Sequence, residues 1–425
     1  MIFKKNIQFA KKLDSEDSLS KFQEYFEIPK LKGFKTLYFC GNSLGLKPKK
    51  IDSYLTKELR EWSEKAVEAH FNGSIPWYYY HHYLKEQTAD IVGAEKNEVV
   101  CMNTLTTNLH LLLVSFYRPQ GARKKILVEK NPFSSDLYML KSQIAMRGLE
   151  PDNVIVEIEP RENEYIIRTE DIERKIKDLN KELSLVFFGG VNYFTGQFFD
   201  IKKIVSAAHE NCSFAGFDLA HAAGNVTLEL SKWDVDFASW CSYKYLNSGP
   251  GGISGVYVNK KHHNSTLQRL EGWWGVKEEQ RFTMNKDFIS SGNVDAWQLS
   301  NPSILLMAAH KASLDIFMEA GMDKLVKKSK LLTSYLEFLL NDLVKNRLGY
   351  KIITPKETKY RGCQISFMIS EGAKDFHDFL FANNIVVDFR EPNVIRISPV
   401  PLYNSFLDVF LLYSKMKEYF NNINK

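Results

Sequence analysis

Between residues 99 and 258, short apolar runs of strand length alternate with longer capped or amphipathic stretches, and this alternation constrains the fold more than any other feature. The runs are Val99-Val100-Cys101-Met102, KKILVEK (124–130), VIVEIE (154–159), LVFFGG (185–190), SFAGFDLAH (213–221), VDFASWCS (235–242) and Ile253 to Val258. Among the intervening stretches, 103–117 opens on Asn and Thr side chains, 131–148 is a capped stretch ending in glycine, and 200–210 reads as a helix. Strand-like runs joined by helices predict an α/β fold with a large, mostly parallel sheet covered on both faces. Ligands of such sheets gather outside the carboxyl ends of the strands.

The flanks read differently. A helix is expected over 50–69, with Tyr54, Leu55, Leu59, Trp62 and Val67 on one side, followed by the aromatic-dense HFNGSIPWYYYHHYL (70–84). After Asn301-Pro302 come helices over 303–320 and 322–343, strands at 350–354 and 363–369, and a helix at 373–383. Strands at 385–391 and 394–400 and a closing helix over 406–420 complete a smaller α+β unit. The expected division is an N-terminal segment, 1–62, packing with the small domain; a large domain, 63–310; and a small C-terminal domain, 311–425.

Basic and acidic residues are interleaved at a net charge of +5, as on solvated helix faces, so no nucleic-acid partner is expected. The five cysteines are odd in number and widely spaced, without a CxxC pair or a Cys/His metal spacing. Disulfide scaffold and metal site therefore fall away, and reduced thiols fit a cytoplasmic protein. The longest apolar stretch, 109–117, is far too short for a membrane span.

Lys244 stands between the apolar runs 235–240 and 253–258, just before the turn-forming Gly249-Pro250-Gly251-Gly252. A buried ammonium costs several kcal/mol unless paired or neutralised. It either snorkels to solvent or loses its proton and forms a Schiff base, the usual hold on pyridoxal phosphate. Asp218 and His221, in FDLAH at a strand end, favour the second reading, because a carboxylate there suits a protonated pyridine nitrogen. Thr104, Thr106 and Thr107 open a helix directly after a strand, an anion seat or ordinary N-capping. Phe133 and Asp136 follow the next strand, where an aromatic ring can stack on the pyridine or simply belong to the core.

CGNSLGL (40–46), NTLTTNLHLLLVSFYRP (103–119), YFTGQFFDI (193–201), FDLAHAAGN (217–225) and DFASWCSYKYLNSGPGG (236–252) follow one another along the chain. GWWG (272–275), QLSNP (298–302) and PVPLYNSF (399–406) come after them. Together these strings resemble the kynureninase family of fold-type I pyridoxal-phosphate enzymes, which are aspartate-aminotransferase-like, and the resemblance runs from about residue 37 to 412.

The resemblance implies Lys244 as the Schiff-base lysine and Asp218 as partner of the pyridine nitrogen; Tyr243, by its position beside Lys244, is a candidate catalytic proton donor or relay. Leu105, Thr106, Phe133, Ser134, Ser135, Asp136, His221, Trp273 and Asn301 would hold the cofactor with them. Ser43, His70, Asn301 and Arg396 would meet the substrate, Arg396 as a bidentate partner of its carboxylate. The implied reaction is hydrolytic Cβ–Cγ cleavage of L-kynurenine or 3-hydroxy-L-kynurenine to L-alanine and anthranilate or 3-hydroxyanthranilate, serving tryptophan catabolism or NAD biosynthesis. His70 with Ser300-Asn301 resembles members that prefer the 3-hydroxy substrate. A homodimer with shared active sites is also implied, with Trp273 and Asn301 arriving from the neighbouring subunit. The chain departs from the family at Gly189, where a serine often contacts the cofactor. The alternatives are a cysteine desulfurase, which needs a mobile cysteine that Cys363 comes nearest to supplying, an aminotransferase, or a binding module without catalysis.

Overall fold

All seven apolar runs pair into one sheet in the computed structural model, which describes residues 2–345 and 347–423. The strands are β1 (Val99–Cys101), β2 (Lys125–Glu129), β3 (Ile155–Ile158), β4 (Leu183–Gly189), β5 (Phe214–Asp218), β6 (Phe237–Trp240) and β7 (Gly255–Val258). Their spatial order is β1-β7-β6-β5-β4-β2-β3. From β6 to β3 every pairing is parallel, whereas β7 runs antiparallel to both neighbours. The reason is the connection: residues 241–254 contain no helix to carry the chain back across the sheet, so β7 must return beside β6 in the opposite sense.

Side chains alternate between two covered faces, as a doubly buried sheet requires. Ile126, Val128, Leu185 and Phe187 face α4 (Leu105–Phe116) and α5 (Ser134–Ala145). Leu127, Val186, Phe188 and Phe217 face the opposite way, sharing a core with α6 (Thr169–Leu179) and α7 (Ile201–Glu210). The same core takes in α8 (Ile304–Ala320), which carries α2 (Ile51–Lys65) and α3 (His82–Val92) on its surface.

A second core joins α1 (Ile7–Ser15), α9 (Met322–Val344), α10 (Ala373–Ala382) and α11 (Phe406–Ile423) to an antiparallel sheet. Its strands are β8 (Tyr350–Ile352), β9 (Ile365–Ile369), β10 (Asp388–Arg390) and β11 (Val394–Ile397), in the order β8-β9-β11-β10.

Three local differences from the sequence reading have physical causes. The helix expected over 50–69 stops at Lys65, where Ala66 takes a left-handed φ of 46° and a 3-10 turn follows. The run 385–391 is divided: Ile385–Val386 pairs with Leu37–Tyr38, and only Asp388–Arg390 joins the small sheet. Helix α3 lies where the aromatic density of 78–83 obscures any helical period.

Candidate active site

Strands β2, β4 and β5 end together, and Glu129, Gly189 and Asp218 are their last residues. Beyond them opens a cavity of about 190 Å³, which Thr104, Leu105, Thr106, Phe133, Ser135, Asp136, His221, Tyr243 and Lys244 also line. Val191, Tyr193 and Ala220 complete its wall.

Lys244 is half-buried, with Nζ 2.9 Å from His221 Nε2 and 5.7 Å from the centre of the Phe133 ring. Burial, then the positive charges of Lys244, Arg396 and Arg390, hold the His221 pKa well below its usual value. His221 is therefore a neutral acceptor for the lysine, while its buried Nδ1 has no partner. The loop bearing Lys244 is fixed from several sides. Tyr243 O accepts from Gly45 N–H at 2.8 Å, and Ser242 Oγ bonds to Ser248 Oγ and Ile253 O. Gly45 comes so close that a Cβ there would lie 2.2 Å from Lys244 O, which is why CGNSLGL carries a glycine at that point.

Three buried carboxyls line the same cavity as this lysine. Asp218 accepts the Ala220 N–H at 2.7 Å and bonds to the Asp136 side chain. Two carboxyls can share a hydrogen bond only if one carries a proton. Burial raises both pKa values and Lys244 favours ionisation of both, but the charges of Asp218 and Glu129 push Asp136 further up, whereas the Ala220 amide favours ionised Asp218. The proton therefore sits on Asp136. Glu129 accepts the Gly189 N–H at 3.1 and 3.2 Å, and burial pushes its pKa up to about 8. Gly189 makes room for it, since a Cβ there would lie 3.0 Å from Glu129 Oε1.

A raised acid pKa means that the folded chain keeps a proton the unfolded chain has lost between about pH 4.5 and 8. Cofactor-free protein should therefore lose stability as pH rises through that window, and Glu129→Gln should flatten the slope. Denaturation midpoints measured across the window check this; an equally steep slope in the variant would refute it.

The opposite end of the cavity suits an anion. The N-terminus of α4 points into it, and Thr104 makes no capping bond to the helix. Thr104 Oγ1 lies 3.1 Å from Thr107 Oγ1, and Thr106 Oγ1 lies 2.8 Å from Ser135 Oγ in the first turn of α5. Free amides and hydroxyls at two helix starts make a phosphate seat.

Arg396, 1% exposed in β11, lies behind the Tyr193 wall: its Nη1 donates to Tyr193 O at 2.7 Å. Its Nη2 pairs with Asp388 and lies 3.4 Å from Ser43 Oγ, which itself donates to Asp388. Ser43 and Arg396 thus form one group. Ser134, His70, Trp273 and Asn301 are not in the cavity wall. Ser134 and Asn301 are exposed; His70 Nδ1 is 3.0 Å from Val67 O; Trp273 is 40% exposed and donates Nε1–H to Arg281 O at 2.6 Å.

Glu129, Tyr193 and Asp388 were not singled out from sequence. Glu129 did leave a signal, as a charge closing an apolar run whose end faces the ligand edge. No cysteine lines the cavity. Cys363 is fully buried, its thiol pushed up to about 12, and exposed Cys212 precedes β5 at the other edge of the sheet.

The fold is shared with solved structures. A cysteine desulfurase from Thermococcus onnurineus NA1 superposes with a TM-score of 0.74 at 18% identity, covering 91% of this chain and 95% of its own. A C-DES variant with glycine covalently linked to its PLP cofactor gives 0.76 at 14% identity, covering 90% and 96%. Sequence relatives are much nearer. The kynureninase of Christiangramia forsetii is 48% identical over 96% of this chain and 97% of its own, and that of Rattus norvegicus 43% over 94% and 90%. Residues 325–416 match the kynureninase C-terminal domain. Identity at this level over nearly the full length of both sequences places the chain in the kynureninase family.

Proposed function

We propose that this chain hydrolyses the Cβ–Cγ bond of L-kynurenine and 3-hydroxy-L-kynurenine, with pyridoxal 5'-phosphate as cofactor, giving L-alanine and anthranilate or 3-hydroxyanthranilate. The carrying observation is one cavity in which Lys244, neutral His221 and three buried carboxyls meet beside an anion seat. The cofactor fits this arrangement. Leu105, Thr106 and Ser135 would hold its phosphate through amides and hydroxyls, Asp218 would pair with its pyridine nitrogen, and Lys244 would anchor it. When bound, it supplies an electron sink for a carbanion at the substrate's Cα.

The chain's own groups do the rest. Lys244 takes and returns the proton at the substrate's Cα. Asp218, ionised and braced by the Ala220 amide, keeps the pyridine nitrogen protonated. Tyr243 is half-buried with its pKa pushed up by burial, so it stays protonated and serves as a donor rather than a base. Arg396 holds the substrate carboxylate, with Asp388 and Ser43 fixing its guanidinium. Water adds to the γ-ketone before the carbon–carbon bond breaks.

The further assignments belong to the same reading. Ser134 joins the cofactor shell, His70 the substrate side, and Trp273 and Asn301 come from the second subunit of a homodimer. Exposed Trp273, Phe71 and Phe282, which pack together at the surface, support such an interface. No described helix is long and apolar enough to cross a membrane, and a cytoplasmic site of action is proposed. The domain division 1–62, 63–310 and 311–425 is retained as a proposal, its outermost residues 1 and 424–425 lying outside the described residues. The second core, which takes in α9, α10 and α11 with the antiparallel sheet, supports a small C-terminal unit.

Purified protein should release the aromatic acid from both kynurenines. A hydrogen bond to the extra hydroxyl from His70 or Asn301 is worth about 1–1.5 kcal/mol, so kcat/KM for the 3-hydroxy substrate should be about tenfold higher. No release from either ketone would overturn the function; preference for plain kynurenine would overturn the hydroxyl contact.

A further inference from the structure

His81 immediately precedes α3 and is wholly buried, yet neither of its ring nitrogens has a hydrogen-bond partner. A neutral imidazole has one nitrogen lone pair to offer a metal. His82, the next residue, is exposed and sets Nε2 2.5 Å from Glu278 Oε1. The same carboxylate oxygen is 4.0 Å from His81 Nε2. One donor atom from each of the three side chains lies within 4.8 Å of the other two, and among the described residues no other such trio of His, Cys, Asp or Glu forms. His310 is equally buried and unpartnered, but burial alone acts on it and no charged group is near.

We propose that His81, His82 and Glu278 bind a divalent transition-metal ion of the zinc class. Two imidazoles and a carboxylate are a borderline donor set, and three protein ligands leave a fourth position for water on the exposed side of His82. Zinc bonds of about 2.0–2.1 Å place tetrahedral donor atoms about 3.4 Å apart. The observed 2.5 and 4.0 Å separations bracket that value, so small side-chain rotations close the site, with the His82–Glu278 hydrogen bond giving way to two metal bonds. A neighbouring ammonium, Lys85, is held by Asp295 at 2.6 Å, and the buried pair adds no net charge.

Such an ion joins segments nearly two hundred residues apart. The aromatic stretch before α3 already touches the turn that follows Trp273. Tyr78 donates its hydroxyl to Glu278 O at 3.0 Å, and the Arg281 guanidinium lies 4.9 Å from the Tyr78 ring centre and 4.2 Å from that of Trp274. The metal clips these two together. This site is separate from the cavity at the strand ends and does not rest on the reaction proposed there.

The test is titration of the dialysed full-length holoenzyme with zinc chloride by isothermal calorimetry, alongside His82→Ala, Glu278→Gln and Cys212→Ser. His82 and Glu278 are at least partly exposed, so their variants should fold, and Cys212 is the exposed thiol that could bind zinc by itself. One ion per chain is expected, bound at least about 100-fold more weakly by His82→Ala and Glu278→Gln and unchanged in Cys212→Ser. Zinc should also raise the thermal midpoint of the parent and Cys212→Ser proteins but not that of His82→Ala. Absence of binding, binding unaltered in His82→Ala, or binding lost in Cys212→Ser would each overturn the proposal.

Discussion

Lys244→Ala should purify without the visible absorption band of bound pyridoxal phosphate and should turn over kynurenines at least about 10⁴-fold more slowly, the upper range for losing a positioned acid–base group. Two roles are lost at once: the covalent hold on the cofactor and the proton transfer at Cα. The fold should survive, because Lys244 is half-buried and its side chain meets His221 Nε2 and the Phe133 face in the cavity wall. Absorption spectra and circular dichroism of the variant separate these effects. A variant that keeps both the band and the turnover would remove Lys244 from the mechanism.

Arg396→Ala should lower kcat/KM by about 30- to 4,000-fold, the 2–5 kcal/mol typical of truncating one partner of a buried charge pair, with most of the change in KM. Arg396→Lys should recover little, because an ammonium cannot span a carboxylate as the planar fork does. Asp388 retains Arg390, with Nε 3.3 Å away, so the alanine variant should stay folded. Unaltered kinetics would mean that another group takes the substrate carboxylate.

What the sequence made legible follows from distance along the chain. Lys244, Asp218 and the threonine-rich start of α4 each stand next to a strand that betrays itself by its apolar run, so their place at the ligand edge could be read directly. Glu129 also ends such a run, but a glutamate leaving a strand ordinarily meets water. Only Gly189, from a neighbouring strand, provides the amide and the empty volume that bury it. Arg396 was recognisable through resemblance alone, and its partner Asp388 was hidden in a run read as one strand that the structure divides at Val387. The trio at His81 was invisible for a related reason. Adjacent residues do not share a helix face, and the third member arrives from a turn remote in sequence.

The reversal of β7 has a consequence for the reactive lysine. Because β6 and β7 are bonded neighbours, residues 241–254 leave and rejoin the sheet side by side, forming a loop clamped at both ends by backbone ladders. A segment pinned in this way has surrendered most of its conformational entropy when the protein folds. Lys244 therefore meets each incoming substrate from an already ordered backbone, and the cost of ordering it is met in folding rather than at every turnover.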